Sequence, residues 1–296
     1  MTLSKKMINA LALEQHAQLF RCPICSSQMA LVEYSRLVCT KNHSFDLSKN
    51  GYVNLAPQAH VTKYDKSLFE ARKIVIDGGF FNPLLDYITE SLAFHFKGNE
   101  ELALLDAGCG EGSHLSEILQ QLPVDVIGIG IDLAKEGIAT AAKEHPGNIW
   151  CVADLANCPF EDGAFDTILN ILSPANYAEF TRLLKPDGLF IKVVPEKGYL
   201  KELRAIFYND DTERQQDSEH VNRFAEQFEL MKTERITYEF QLDCDLLAPL
   251  IQMTPLSWGA DQELVKAASS MDIPVITIDF TVMIGKRKTE TIHESN

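Results

Sequence analysis

The segment Asp106-Ala107-Gly108-Cys109-Gly110-Glu111-Gly112 is where residue types and spacing most clearly permit chemistry. An apolar run (102–105) precedes it and an amphipathic stretch (113–122) follows, so the order is buried strand, glycine turn, helix start. Glycines let the backbone approach a ligand that a Cβ would exclude. The helix start adds unpaired N–H donors. A strand ending in an acid and running into G-x-G-x-G suits S-adenosylmethionine (SAM) better than it suits the dinucleotide fingerprint. Asp106, Gly108, Gly110, Glu111 and Gly112 are therefore candidate cofactor contacts.

Two further acids fall in register with that loop. Asp132 closes the next predicted strand, 20 residues after Gly112. A carboxylate there can accept from both ribose hydroxyls, although it also suits the start of the helix predicted from 135. Asp154-Leu155 follows the third strand, where the acid can accept from an adenine amino group while the leucine packs on the ring. Asn170-Ile171-Leu172-Ser173-Pro174 ends the fourth strand, the place that faces the methyl group and its acceptor in SAM enzymes. Asn170 and Ser173 are the acceptor-orienting candidates, with ordinary turn chemistry as the alternative. No residue is assigned as general base.

Upstream lies a second constellation, Cys22-x2-Cys25-x13-Cys39-x3-His43. Two thiolates on one knuckle and a Cys/His pair on another can close a tetrahedral zinc shell. The polar residues around them do not read as a buried core.

These residues need elements to hold them. From 102 onward the pattern alternates in the α/β manner. Strands are expected at 102–106, 125–131, 149–152, 165–171 and 189–194, and helices at 113–122, 135–144, 176–184 and 199–208. Residues 185–188 read as a turn, and 233–242 and 275–284 as two closing strands. The expected fold is thus α/β, with a seven-stranded, mostly parallel sheet. Before it come a zinc ribbon, with strands at 31–38 and 44–55, and helices at 65–76 and 84–96. The division is 1–57 zinc ribbon, 58–98 helical connector and 99–296 α/β domain.

With 296 residues, 46% hydrophobic and 23% charged, the chain reads as a soluble globular protein. No apolar stretch is long enough to span a bilayer, and residues 1–20 read as a short helix rather than a signal peptide. Seven cysteines, three of them in the zinc set, fit a reducing cytoplasm. The net charge of −15 argues against nucleic acid at first sight. Its distribution is uneven: residues 1–73 hold ten Lys/Arg against five Asp/Glu. Such a basic front end on an acidic body can meet phosphate. Arg21, Lys41, Lys49, Lys63, Lys66, Arg72 and Lys73 form the candidate phosphate-contact group. Phe80, Phe81, Tyr177, Tyr199 and Trp258 are candidates for stacking on a base.

Taken together, CPIC with CTKNH, FDLSKNGYVNL (45–55), EARKIVIDGGFFNPL (70–84), LLDAGCGEGSH (104–114), LKPDG (184–188) and QMTPLSWGA (252–260) resemble the RlmA-type 23S rRNA (guanine-N1)-methyltransferases over nearly the full chain. The resemblance implies a class I SAM-dependent methyltransferase fold, Rossmann-like, over 99–296, and an RNA-recognition role for the zinc ribbon at 1–57. It also implies zinc and SAM as cofactors and a hairpin of large-subunit rRNA as partner, with no membrane and with a homodimer left open. It implies Cys22, Cys25, Cys39 and His43 as zinc ligands. Gly110, Glu111 and Asp132 become SAM contacts, and Phe81 an aromatic beside the cofactor. Tyr199 stands where some relatives carry His. The rival reading is a SAM-dependent methyltransferase of a small molecule or protein, with a purely structural zinc ribbon.

Overall fold

The computed structural model describes residues 3–58, 64–97, 101–208 and 217–288. Helix α1 (Lys5–Gln15) opens the chain, its first turn capped by the Ser4 hydroxyl accepting from Met7 N–H. Three short antiparallel strands follow: β1 (Met29–Val32), β2 (Arg36–Cys39) and β3 (Ser44–Asp46). The single strand expected at 31–38 is instead the β1–β2 hairpin. Glu33 and Tyr34 both adopt positive φ in the three-residue loop at its tip, where Ser35 N–H donates to the Val32 carbonyl, without the Asn-Gly signal that usually announces a tight hairpin turn. The expected strand at 44–55 is likewise split. Ser48 and Gly51 turn the chain between β3 and β4 (Val53–Asn54).

Helices α2 (Lys66–Asp77) and α3 (Asn82–His95) lead into the α/β body. That body comprises β5 (Glu101–Ala107), α4 (Ser113–Gln121), β6 (Asp125–Asp132), α5 (Lys135–Glu144), β7 (Ile149–Val152), β8 (Phe165–Ile171), α6 (Tyr177–Leu183), β9 (Leu184–Pro195) and α7 (Lys201–Phe207). Then come α8 (Asp217–Gln227), β10 (Phe228–Gln241), α9 (Cys244–Met253), α10 (Gln262–Ala268) and β11 (Val275–Arg287). The sheet order is β10-β11-β9-β8-β5-β6-β7-β4, parallel except where β11 pairs with β9 and β10. The seven expected strands are joined at one edge by β4, from the chain just after the ribbon. It pairs with β7 through Val53–Cys151 and Asn54–Val152.

The expected turn at 185–188 belongs instead to an extended β9. The register slips between Phe165 and Thr167, Lys185 pairs with Asp166 at 2.8 Å, and Pro186 cannot donate to a ladder. Helices α8, α9 and α10 were not anticipated.

The ribbon's flanks are tied into the sheet. Asn9 donates through Nδ2 to the Ala142 carbonyl and accepts from Gly147 N–H. Phe20 is fully buried, its ring 4.9 Å from that of Phe160. Cys22, Leu37, Cys39 and Leu47 share one apolar cluster with Leu105, Ile131 and Phe160. Burial of one such phenyl ring stabilises by about 1.5–3 kcal/mol. Helix α2 packs mainly on α9, and Gln252 donates to the Ser67 hydroxyl across that contact.

Candidate active site and metal centre

Adjacent parallel strands β5 and β8 run to helices on opposite sides of the sheet, so their carboxyl ends open a crevice. A cleft of about 1380 Å³ lies there. Pockets for a single drug-sized ligand measure roughly 300–1,000 Å³, so this cleft has room for a nucleoside cofactor and a further base.

Its floor is the loop after β5. Gly108 has φ +91°, and a Cβ there would fall 2.0 Å from the Ser173 hydroxyl. Gly112 has φ +82°, and a Cβ would fall 2.3 Å from the Trp150 ring. Only glycine meets both demands at either place. Gly108, Gly110, Asp132, Asp154 and Leu155 line the cleft, as do Phe81 and Tyr199. Asp132 accepts from Gly110 N–H at 3.0 Å and from Ala134 N–H at 2.8 Å, so it both braces the glycine loop and starts the α5 turn. Each oxygen keeps a lone pair for a hydroxyl. Asp154 accepts from Ala156 N–H.

Asp106, Glu111 and Gly112 stand behind the lining. Asp106 is 2% exposed and Glu111 fully buried. Burial pushes the Asp106 carboxyl up to about 7, partly offset by Arg72 and reinforced by Asp132 and Glu111. Burial also raises Asp132 despite its hydrogen bonds. Three acidic side chains therefore surround one guanidinium, that of Arg72, and a nearby cation favours their ionised forms, a setting that suits a sulfonium and opposes a pyrophosphate. The residues fit SAM on this ground.

Arg72 leaves the phosphate-contact group to which sequence assigned it. Its side chain points into the cleft: Nε lies 3.3 Å from Glu111 Oε2, and Nη2 donates to His114 Nδ1 at 3.1 Å. Of the others, Lys66 and Lys73 pair with Glu70 and Asp77, and Arg21 with Asp162. Lys41 and Lys49 are exposed on and beside the ribbon, and Lys63 lies outside the described residues.

The loop after β8 departs from expectation at Asn170. It is fully buried and off the cleft lining. Its amide donates to the carbonyls of Ala107 and Pro174, and its oxygen accepts from Lys192 Nζ. With every polar group engaged, it braces the loop, and an acceptor-orienting role does not fit this placement. Lys192 also donates to the Ser173 carbonyl, and burial pulls its ammonium down to about 8. Ser173 lines the cleft. Leu172, at φ +52°, turns the chain there, a left-handed leucine that no sequence signal marks.

Of the stacking candidates, Phe81 and Tyr199 reach the cleft, each packed against Phe280. Phe80 is core, and Tyr177 sits among Phe190, Phe224 and Phe228. Trp258 is 38% exposed, edge-on to Tyr64, which lines the mouth. Met253, Thr254 and Pro255 of the QMTPLSWGA segment also form the wall, as do the cations Lys197, Lys201 and Arg204.

The ligand atoms of Cys22, Cys25, Cys39 and His43 all lie within 4.8 Å of one another. Cys25 and Cys39 sulfurs are 3.7 Å apart, and His43 Nδ1 is 3.5 Å from both Cys22 and Cys39 Sγ. A tetrahedron with Zn–S bonds of about 2.3 Å has S···S edges of about 3.8 Å, so the donor set fits zinc in both type and size. The Ser27 hydroxyl, 2.8 Å from Cys25 Sγ, is the main cause drawing that thiol down to about 6, toward the thiolate a metal needs. By contrast, Cys158 is pushed up to about 12 by burial and stays a protonated core thiol.

A family model described as "RlmA, N-terminal" matches residues 20–62, and one described as "Methyltransferase domain" matches 104–188. A Bacillus subtilis protein named putative 23S rRNA (guanine-N(1)-)-methyltransferase YxjB is 42% identical over 274 residues, which cover 91% of this chain and 97% of that one. The chain belongs to the RlmA-type 23S rRNA (guanine-N1)-methyltransferase family. A Streptomyces fradiae relative named 23S rRNA (guanine(748)-N(1))-methyltransferase is 28% identical, covering 89% of this chain and 95% of its own. A third, from Micromonospora griseorubida, is named a putative enzyme of the same kind and is 26% identical. Both strong motifs, the zinc knuckles and the glycine loop, fall inside the matched segments.

Proposed function

We propose that the protein transfers a methyl group from SAM to N1 of a guanine in a hairpin of 23S rRNA. The observation that carries the substrate reading is the polarity of the cleft. Asp132 lines its floor with Asp106 and Glu111 buried just behind, while Lys197, Lys201 and Arg204 stand along the wall on the β9–α7 side. A cationic cofactor suits the first end and a phosphate-bearing nucleotide the second. SAM supplies an electrophilic methyl carbon on a sulfonium.

The chain's part is to align and to exclude water. In this reading Asp132 holds the ribose, and Asp154 with Leu155 holds the adenine. Asp106 and Gly112 support the loop from behind. Ser173 faces the acceptor base, with Asn170 and Lys192 fixing its loop from beneath. Phe81 and Tyr199 wall the cleft where the two ligands meet, and Trp258 with Tyr64 can stack a neighbouring base at the mouth. The target must leave its stack or lie in a loop to enter so concave a site. Cys22, Cys25, Cys39 and His43 hold a structural zinc. With Lys41 and Lys49, the ribbon offers a second surface to the hairpin.

Among the described residues no helix is long and apolar enough to cross a membrane. A cytoplasmic location, where rRNA is accessible, follows from the substrate reading. The test is reverse transcription of rRNA from cells with and without this gene. Methylated N1 cannot pair, so the intact strain gives a stop in a large-subunit hairpin that the deletion strain lacks. Identical stop patterns in both strains would refute the reading.

A further inference from the structure

We propose that Arg72 anchors the carboxylate of the amino-acid end of SAM, with Glu111 and His114 holding its guanidinium in place. The inference rests on the SAM reading above and adds to it a residue from outside the α/β body.

Asp132, at the end of β6, and Asp154, after β7, place the ribose and adenine toward one side of the cleft. The amino-acid end then extends the other way, over the glycine loop. Of the cations lining the cleft among the described residues, Arg72 is the one that reaches this loop. Its Nη1 lies 2.4 Å from where a Cβ on Gly110 would stand. Nε faces Glu111 and Nη2 donates to His114, but Nη1 has no protein partner among the described residues. His114 is kept neutral mainly by burial, so its Nδ1 can accept.

The alternative is that Arg72 merely fastens α2 to the loop. The contacts argue against it. A buried ion pair stabilises a fold only when its geometry is good and its remaining polar atoms are satisfied. Here the shortest contact of the pair is 3.3 Å, and neither Glu111 oxygen has a hydrogen-bond partner. Such an arrangement holds a guanidinium fork toward the cleft at a cost to stability. An amino-acid carboxylate is the anion that matches the fork. Because α2 also packs on α9, the same anchor would tie cofactor binding to the wall that carries Met253 and Thr254.

Two ligands separate anchoring from fastening. S-adenosylhomocysteine carries the amino-acid end, and 5′-methylthioadenosine lacks it. Titration calorimetry of the zinc-loaded full chain with each would compare wild type, Arg72→Met and Arg72→Lys. Arg72→Met is expected to weaken S-adenosylhomocysteine by about 10- to 100-fold and to leave methylthioadenosine within about twofold. Arg72→Lys, which keeps the charge but not the fork, is expected to fall between. Equal losses for both ligands, or an unchanged affinity for S-adenosylhomocysteine, would overturn the assignment. Wild-type protein that binds neither ligand would instead overturn the SAM reading.

Discussion

Asp106 shows how a single side chain can link pH, stability and cofactor affinity. Its folded value of about 7 lies above that of an unfolded aspartate, so between about pH 4 and 7 the folded chain holds more protons than the unfolded one. Its share of stability is therefore lost as pH rises through that window. Asp106→Asn is expected to flatten the fall in melting temperature between pH 5 and 7.5; a variant with the wild-type slope would contradict this. A cation in the cleft favours the carboxylate, so S-adenosylmethionine binding should release protons near pH 7. That release can be read by calorimetry in buffers of different ionisation enthalpy. Lys192 makes a second prediction, since it holds the Ser173 loop without lining the cleft. Lys192→Met should lower kcat about tenfold or more while changing SAM affinity little; matched losses in both would argue for general unfolding instead. At this scale the zinc ligands and the glycine loop were legible because their spacing is local. Arg72 was not, because Glu111 and His114 reach it from 39 and 42 residues away. Asn170 was misread because nothing in its neighbours announces Lys192.

At the scale of elements, the β5–α4 turn is built for close approach. Gly108→Ala must strain a backbone at φ +91° and displace Ser173, so it disturbs the cofactor loop and the acceptor loop together. Loss of SAM binding by at least about tenfold is expected, with a cost in stability of about 1–3 kcal/mol. Retained affinity would show that the two loops separate more freely than their contact suggests. The alternating strands and helices of the body were readable because buried parallel strands are short apolar runs between amphipathic helices. The β1–β2 hairpin was missed because Glu33 and Tyr34 are unusual residues for positive φ. The extended start of β9 was hidden by a Lys-Pro-Asp-Gly sequence that elsewhere makes turns. Helices α8 to α10 lie where the alternation stops, with α8 packed on β10 and β11 and α9 on α2.

The molecule as a whole joins a ribbon and a methyltransferase through one core rather than a linker. Phe20 packs on Phe160, β4 extends the sheet, and α1 binds the α5–β7 corner through Asn9. Stripping zinc with a chelator, or replacing Cys25 with Ser, should therefore destabilise the methyltransferase as well as the ribbon. A loss of at least about 2 kcal/mol would lower Tm by about 4–8 °C. An unchanged Tm after verified zinc removal would place the ribbon outside the cooperative unit. This continuity was not legible in the sequence, where residues 56–58 resemble the start of a connector. The central claim is that an acidic cleft floor and a basic wall bring SAM to N1 of a guanine. It is tested most directly by incubating purified, zinc-loaded protein with methyl-labelled SAM and unmodified 23S rRNA, then digesting the RNA to nucleosides. The account predicts label in 1-methylguanosine, approaching one methyl per 23S molecule; label at another atom, or none in the RNA, would contradict it.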